Sequence, residues 1–228
     1  GDESNEELGK LFETSLISLD HAHETLVEYV AAKVIYFDLR DDFVARLYYP
    51  TPKLSPLAKL MKQEGSLDAV MTKIAEELSD GGFEALMWGV FEKVASLVVQ
   101  VALRCCVGEG MGAIKREFVP SDANVVREDL KALQSYFIQQ DEEEGVCHGL
   151  EPKVVKAMCK RLDALASQVL LLPTDKLIEA YYTPSTRDDE DSAGGDVLCR
   201  TNIVGTLGRR GEKEAKDFVK EMRKKNKK

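Results

Sequence analysis

Residues 83–107 read FEALMWGVFEKVASLVVQVALRCCV and are apolar on nearly every side of a helix. A helix at the protein surface has a single apolar stripe and a solvent-exposed polar face. This segment has apolar residues around most of its circumference, so other helices are expected to surround it. Polar residues interrupt it at Glu92, Lys93, Gln100 and Arg104. Charges at these positions would be costly in the centre of a bilayer. The segment is therefore predicted to be a buried helix at the centre of a bundle.

Amphipathic helices are predicted on both sides of this central segment. A long first helix from about Asn5 to about Tyr48 has apolar residues spaced by three, four and seven. They are Leu8, Phe12, Leu16, Leu19, Leu26, Val30 and Phe37. Two later segments, beginning near Pro120 and near Glu151, are spaced by three and four. No stretch alternates convincingly with the period of a strand, so the sequence predicts an all-α, up-and-down helical bundle.

Composition divides the chain into three predicted parts. Residues 1–182 carry the helical patterns and are expected to form the bundle, with a core over 67–182. Residues 183–208 include a polar, acidic stretch and are predicted to be a flexible linker. Residues 209–228 are predicted to form a basic helix or tail. The chain begins with glycine instead of methionine, so we expect it to be a piece of a longer protein.

Charge is unevenly distributed along the chain. The net charge of −9 argues against nucleic acid as a partner, because phosphate binding needs clustered Lys and Arg. Residues 209–228 contain ten basic and four acidic residues, so they carry +6 and the rest of the chain carries −15. The candidate residues for contact with anionic lipid or a partner are Arg209, Arg210, Lys213, Lys220, Arg223, Lys224 and Lys225. A solubilising terminus is the alternative interpretation.

Metal-binding patterns are weak. The five cysteines are irregularly spaced and no signal peptide precedes them, which favours free thiols in a reducing cytosol. Structural zinc sites use close pairs such as Cys-x-x-Cys. Here the candidate ligands are adjacent, at Cys105–Cys106 and Cys147–His148, or two apart, at His21 and His23. Helical residues two apart do not face each other, so we expect neither a metal nor a cofactor.

Catalytic patterns are equally weak. The Gly-x-Ser-x-Gly elbow of many hydrolases is absent, and the carboxylates beside Cys147 would raise the pKa of its thiol. The glycine-rich loop at 108–112 lacks the Gly-Lys-Ser/Thr ending that binds phosphate. We expect no catalytic site, and an enzyme without a familiar motif is the remaining alternative.

One phrase resembles a known family. Residues 118–123 read FVPSDA, residues 128–130 read EDL, and residues 136–137 read YF. This order is similar to the second homology region of the MUN domain in Munc-thirteen-type proteins, especially their plant-like branch. The family-like positions are Pro120, Ser121, Asp122, Glu128, Asp129, Leu130 and Phe137. The resemblance covers most of residues 67–182 and departs from the family at the acidic loop 141–144.

This resemblance implies both an architecture and a role. The chain would be the C-terminal part of an elongated rod of stacked bundles, like subunits of vesicle-tethering complexes. It would be a non-catalytic module for vesicle tethering, priming and exocytosis, with SNARE or other trafficking proteins as partners. Its place would be cytoplasmic, peripheral at a vesicle or the plasma membrane. A purely structural bundle and a lipid-contacting tail are the alternatives.

Overall fold

Helices form all the regular structure of the described residues, in which no strand occurs. The computed structural model describes residues 2–49, 56–62, 65–107, 117–138, 149–183, 186 and 197–225. The α-helices are α1 (Asp2–Lys33), α2 (Pro56–Leu60), α3 (Ser66–Asp80), α4 (Glu84–Val107), α5 (Ala123–Ile138), α6 (Pro152–Leu165), α7 (Thr174–Tyr182), α8 (Arg200–Leu207) and α9 (Lys213–Lys225). π-Helical stretches follow α1 at Val34–Asp38 and Asp41–Arg46 and follow α6 at Ala166–Leu170, and a 3-10 turn at Pro120–Asp122 opens α5. The predicted all-α fold is confirmed.

Helix α4 lies at the centre of the bundle, as its composition predicts. Thirteen of its residues are buried and occupy most of its circumference, while Glu92, Gln100 and Arg104 are exposed on the remaining side. Helices α1, α3, α6 and α8 pack against it. Full burial of one Val, Leu or Phe side chain contributes about 1.5–3 kcal/mol, so the covering of α4 is a large part of what stabilises the fold.

A glycine lets α1 approach α4 closely. A Cβ at Gly89 would lie 2.9 Å from Val27 Cγ2, closer than such atoms normally come. One turn further along, Lys93 Nζ pairs with Glu28 Oε1 at 2.6 Å, and the hydrogen bond from this lysine lowers the pKa of the Glu28 carboxyl. Because the pair is exposed, it contributes little, and the apolar crossing fixes α1 in place.

The face of α1 that packs on the core differs from the predicted stripe. Val27, Ala31 and Val34 are buried, and every described side chain from 12 to 26 is exposed. The exposed set includes most of the predicted apolar positions: Phe12, Leu16, Leu19 and Leu26, together with Phe37 further on. The side chain of Leu8 lies outside those described. Spacing showed that α1 has an apolar face, but it could not show that α4 meets α1 only near its C-terminal end.

The structure also corrects the predicted linker at 183–208. Residues 200–207 form helix α8, in which Ile203 and Leu207 are fully buried. The segment Arg-Thr-Asn-Ile-Val-Gly-Thr-Leu has modest helix propensity, so its burial against α4 and α7 is what stabilises the helix. The acidic stretch at 187–196 lies outside the described residues.

Close packing explains why α8 carries a glycine. A side chain at Gly205 would meet the backbone carbonyl of Val107, at the end of α4. The buried Asn202 side chain donates a hydrogen bond to the Val197 carbonyl at 3.0 Å, which holds the chain that enters α8. Helices α8 and α9 therefore belong to the same core as the segments before residue 183.

Asp129 joins α5 to α2 through a buried carboxylate. Its Oδ1 accepts hydrogen bonds from the backbone N–H groups of Leu57, at 2.9 Å, and Ala58, at 3.3 Å. These groups belong to the first turn of α2, where a helix has no partners of its own and where its dipole favours a negative charge. Ser55 directly precedes Pro56, so the sequence predicts it as the N-cap of this helix, but it lies outside the described residues. A residue about seventy positions away thus caps this helix.

Tyr48 closes the same junction. It adopts φ 58°, a left-handed conformation that is uncommon for residues with a side chain. Its buried ring packs edge-on against Phe118, with 5.7 Å between ring centroids. Burial, and then the nearby Asp129 carboxylate, raise the pKa of the Tyr48 hydroxyl. The first long helical segment therefore ends where the sequence predicts, just before Pro50.

We expect Asp129→Ala to lower the free energy of unfolding by about 2–3 kcal/mol, because it leaves two N–H groups of α2 without their acceptor. Urea denaturation followed by circular dichroism measures this change. The control is Glu128→Ala, an exposed neighbour on α5, which should change stability by about 0.5 kcal/mol or less. Equal effects of the two substitutions would contradict the capping role of Asp129.

Candidate functional site

The family-like phrase lies within the bundle. Its buried positions hold α5 in the core: Asp129, Leu130 and Phe137. Asp122 Oδ2 accepts a hydrogen bond from the Val119 N–H at 2.8 Å and so caps the turn that opens α5. The remaining positions are at least partly exposed: Pro120, Ser121 and Glu128. Packing in the core and capping of the turn before α5 explain the described roles of these residues, and no bound partner is needed to explain them.

Helix α9 contains the predicted basic tail and packs on the bundle. Apolar residues at helical spacing predict which side of α9 is buried, and the structure confirms that side: Ala215, Phe218, Val219 and Met222. The Phe218 ring meets the rings of Tyr181 and Tyr182 edge-on, at centroid distances of 5.2 and 6.0 Å. These contacts determine which side of α9 faces outward.

The outward side of α9 separates positive from negative charge. At about 100° per residue, its basic side chains gather on one flank and its acidic ones on the next. We call the first group the basic stripe: Lys213, Lys216, Lys220, Arg223 and Lys224, all exposed. Lys225 lies on the acidic flank and pairs with Glu221 at 2.7 Å. Arg209 is half-buried.

Arg210 does not belong to that surface, which corrects its prediction as a contact residue. It is 2% exposed, and its Nη2 donates hydrogen bonds to the carbonyls of Leu170, at 2.8 Å, and Leu172, at 3.1 Å. Those carbonyls end the helical segment that follows α6, where a positive charge is favourable. Burial lowers the pKa of Arg210, and the carboxylates of Glu212 and Asp122 oppose that shift. Composition alone could not separate this arginine from its exposed neighbours.

A second surface lies on α1, where sequence reasoning expected a buried face. We call it the apolar stripe: Phe12, Leu16, Leu19 and Leu26, which are 67%, 61%, 66% and 46% exposed. Large contiguous apolar patches are uncommon on soluble monomers and often mark contact sites. Ile17, which is 63% exposed, points about 140° away from Phe12 and lies outside the stripe. The heptad spacing in the sequence indicates an apolar face at these positions, and the structure shows that this face is exposed.

An open groove of about 720 Å³ lies between α1 and α4, beside the apolar stripe. His21, His23 and Glu24 from α1 line one side of the groove, and Gly89 and Glu92 from α4 line the other. Across the described ranges, no cluster of three or more His, Cys, Asp or Glu is arranged to hold a metal ion.

The described cysteines are buried thiols. Cys105, Cys106, Cys159 and Cys199 are all buried. Burial raises the pKa of Cys159 to about 11, so its thiol stays protonated at neutral pH. Cys159 is therefore not an activated thiolate. Cys147 and His148 lie outside the described residues.

The described residues form a helical bundle with an exposed apolar stripe and an exposed basic stripe, and sequence comparison gives the family. A family model described as "PATROL1-like, TPR repeats" matches residues 1–219. The chain belongs to this PATROL1-like family. It is also 25% identical over 213 residues to an Arabidopsis thaliana protein called "Protein unc-13 homolog". That match covers 92% of this chain and 18% of the relative, so the chain spans less than a fifth of the relative's length. No solved structure matches the chain.

These comparisons support a Munc-thirteen-related helical family for the chain. They leave the assignment to the MUN domain as a prediction. As to membranes, none of the helices in the described segments is both long enough and apolar enough to cross a bilayer.

We expect Arg210→Ala to lower the free energy of unfolding by about 2–3 kcal/mol, because two backbone carbonyls lose a charged donor. Lys213→Ala removes an exposed charge close by and should change stability by about 0.5 kcal/mol or less. Thermal and urea unfolding of both variants measure the difference. A mild effect of Arg210→Ala would show that its two hydrogen bonds contribute little.

Proposed function

We propose that this chain is a non-catalytic, protein-binding module that acts in vesicle tethering, priming and exocytosis. The observation that carries the proposal is the relationship to the unc-13 homolog, which extends over 92% of the chain. The PATROL1-like family model and the all-helical bundle agree with it. The proposed location is cytoplasmic and peripheral, at a vesicle or the plasma membrane.

In this proposal the bundle is the second homology region of a MUN domain. The order of residues around Pro120 and Asp129 supports that assignment, since it resembles the family phrase. The partners would be SNARE or other trafficking proteins, whose helical segments suit an exposed helix face. The apolar stripe on α1 offers such a face.

We expect the purified chain to bind the cytoplasmic segments of SNARE proteins in a saturable way at micromolar concentrations. Calorimetric titration of each segment into the chain measures this binding. A scrambled segment of the same composition serves as the control for charge and hydrophobicity. Absence of binding to every segment at high micromolar concentration would contradict direct SNARE contact by this part of the protein.

A second candidate function is contact with an anionic membrane through the basic stripe. Separation of charge on α9 favours it, because the positive side chains can face a surface while the acidic flank turns aside. Each basic residue near an anionic surface contributes about 1 kcal/mol. The buried side of α9 fixes this orientation, so the helix need not rearrange to present the stripe.

We expect the triple variant Lys213→Glu, Lys216→Glu and Arg223→Glu to bind phosphatidylserine-containing vesicles about 100-fold more weakly, since three favourable charges of about 1 kcal/mol each are lost. Vesicle co-sedimentation measures the binding. The control changes net charge equally at scattered exposed positions: Lys59→Glu, Lys73→Glu and Lys131→Glu. Unchanged or equally weakened binding in the two variants would favour a structural role for α9.

A further inference from the structure

We propose that the projecting part of α1 is one strand of a coiled coil, and that it binds a basic amphipathic helix of a partner protein. This inference rests on the proposed function, for which it names the binding surface and the chemistry of the partner. It depends on three observations: the spacing of the apolar stripe, its exposure, and the charge around it.

The spacing is that of a coiled-coil seam. Phe12, Leu16, Leu19 and Leu26 are separated by four, three and seven residues, and His23 occupies the missing position. These are the a and d positions of successive heptads, which insert into a facing helix. At 1.5 Å per residue the seam from position 12 to position 26 is about 21 Å long, or two heptads.

Exposure shows that nothing in the described part of the bundle covers this seam. All side chains from 12 to 26 are exposed, and burial of α1 begins at Val27. A helix that stands alone in water over so short a length is marginally stable. Pairing along the seam would remove four large apolar side chains from water, which is the main source of stability in such pairs.

The seam ends at the groove between α1 and α4, which gives a partner helix a place to continue. The His23 ring lies beside Gly89, where an added Cβ would come within 3.6 Å of it. Glu24, Glu28 and Glu92 also line this groove, together with one lysine, Lys93, which pairs with Glu28. A helix that follows the seam towards Leu26 would therefore enter an acidic groove.

Charge identifies the partner as basic. Residues 2–26 contain seven acidic residues and one basic residue, a net charge of −6. Glu13 and Asp20 each follow a d-position residue, so they occupy the e positions that flank the seam. A partner with Lys or Arg at its own flanking positions would meet opposite charge, which favours correct pairing and rapid association.

Charge argues against a second copy of α1 as the occupant, and burial argues against helix α9. A second copy of α1 would bring a segment of −6 against another of −6. Helix α9 is basic and amphipathic, but its own apolar side is already buried through Phe218 and its neighbours. Of these three candidates, a basic helix from another protein is the one that combines opposite charge with an available apolar side.

The test uses two synthetic peptides of three heptads, with leucine at every a and d position. One carries lysine at its e and g positions, and the other carries glutamate there. Fluorescence anisotropy measures their binding to the full chain. We expect the lysine peptide to bind about tenfold or more tightly than the glutamate peptide, with a preference that weakens as salt rises.

Two variants locate the binding on the seam. The double variant Leu16→Gln and Leu19→Gln should weaken binding of the lysine peptide about tenfold or more. It replaces two apolar seam residues with polar ones without changing the charge. Ile17→Gln removes an equally exposed apolar side chain outside the seam and should leave binding unchanged. Circular dichroism checks that both variants fold.

Several outcomes would overturn the inference. Equal binding of the two peptides would contradict a basic partner, and equal effects of the two variants would contradict binding at the seam. A dimer of the chain that dissociates in the Leu16 and Leu19 variant would identify a second copy as the occupant. Binding to neutral lipid vesicles that depends on the apolar stripe would identify lipid as the occupant. If the Leu16 and Leu19 variant still binds SNARE segments, the proposed function stands, but the apolar stripe is not the surface that binds them. Peptide binding without any SNARE binding would support the surface and contradict the proposed function.

Discussion

Helix α4 is apolar around most of its circumference, and the structure depends on covering those sides. Four other helices pack around it, and glycines permit close approach near both of its ends. Gly89 admits Val27 of α1, and Gly205 of α8 lies against the carbonyl of Val107. This requirement explains why residues 200–207 are helical although their composition does not favour a helix: one flank of α4 would otherwise face water.

Once α4 is covered, each end of the chain presents a different surface. Helix α1 continues past the core with an exposed apolar stripe in an acidic segment, whereas α9 buries its apolar side and turns a basic stripe outward. The first surface suits another helix, and the second suits an anionic surface. Tethering requires contacts with more than one partner, so two surfaces of opposite charge on one rigid bundle agree with the proposed role.

The residues of the family-like phrase help to hold the bundle together. Asp129 caps α2 across some seventy residues of sequence, and Asp122 caps the turn that opens α5. The phrase around them therefore reflects the architecture, because its buried residues cap and pack helices of the bundle. It contained little information about partners, since the candidate binding surfaces lie on α1 and α9, outside the phrase.

Sequence by itself determined the helical class, the central place of α4, the end of the first helical segment before Pro50, and the buried side of α9. Each of these follows from local chemistry, through apolar spacing or the restricted backbone before proline. Only the tertiary structure decided that the stripe from Phe12 to Leu26 is exposed, that α8 is a packed helix, and that Arg210 is buried while Lys213 is not. The physical reason is that a pattern along one helix shows that it has an apolar face, whereas the occupant of that face depends on where distant segments come to lie.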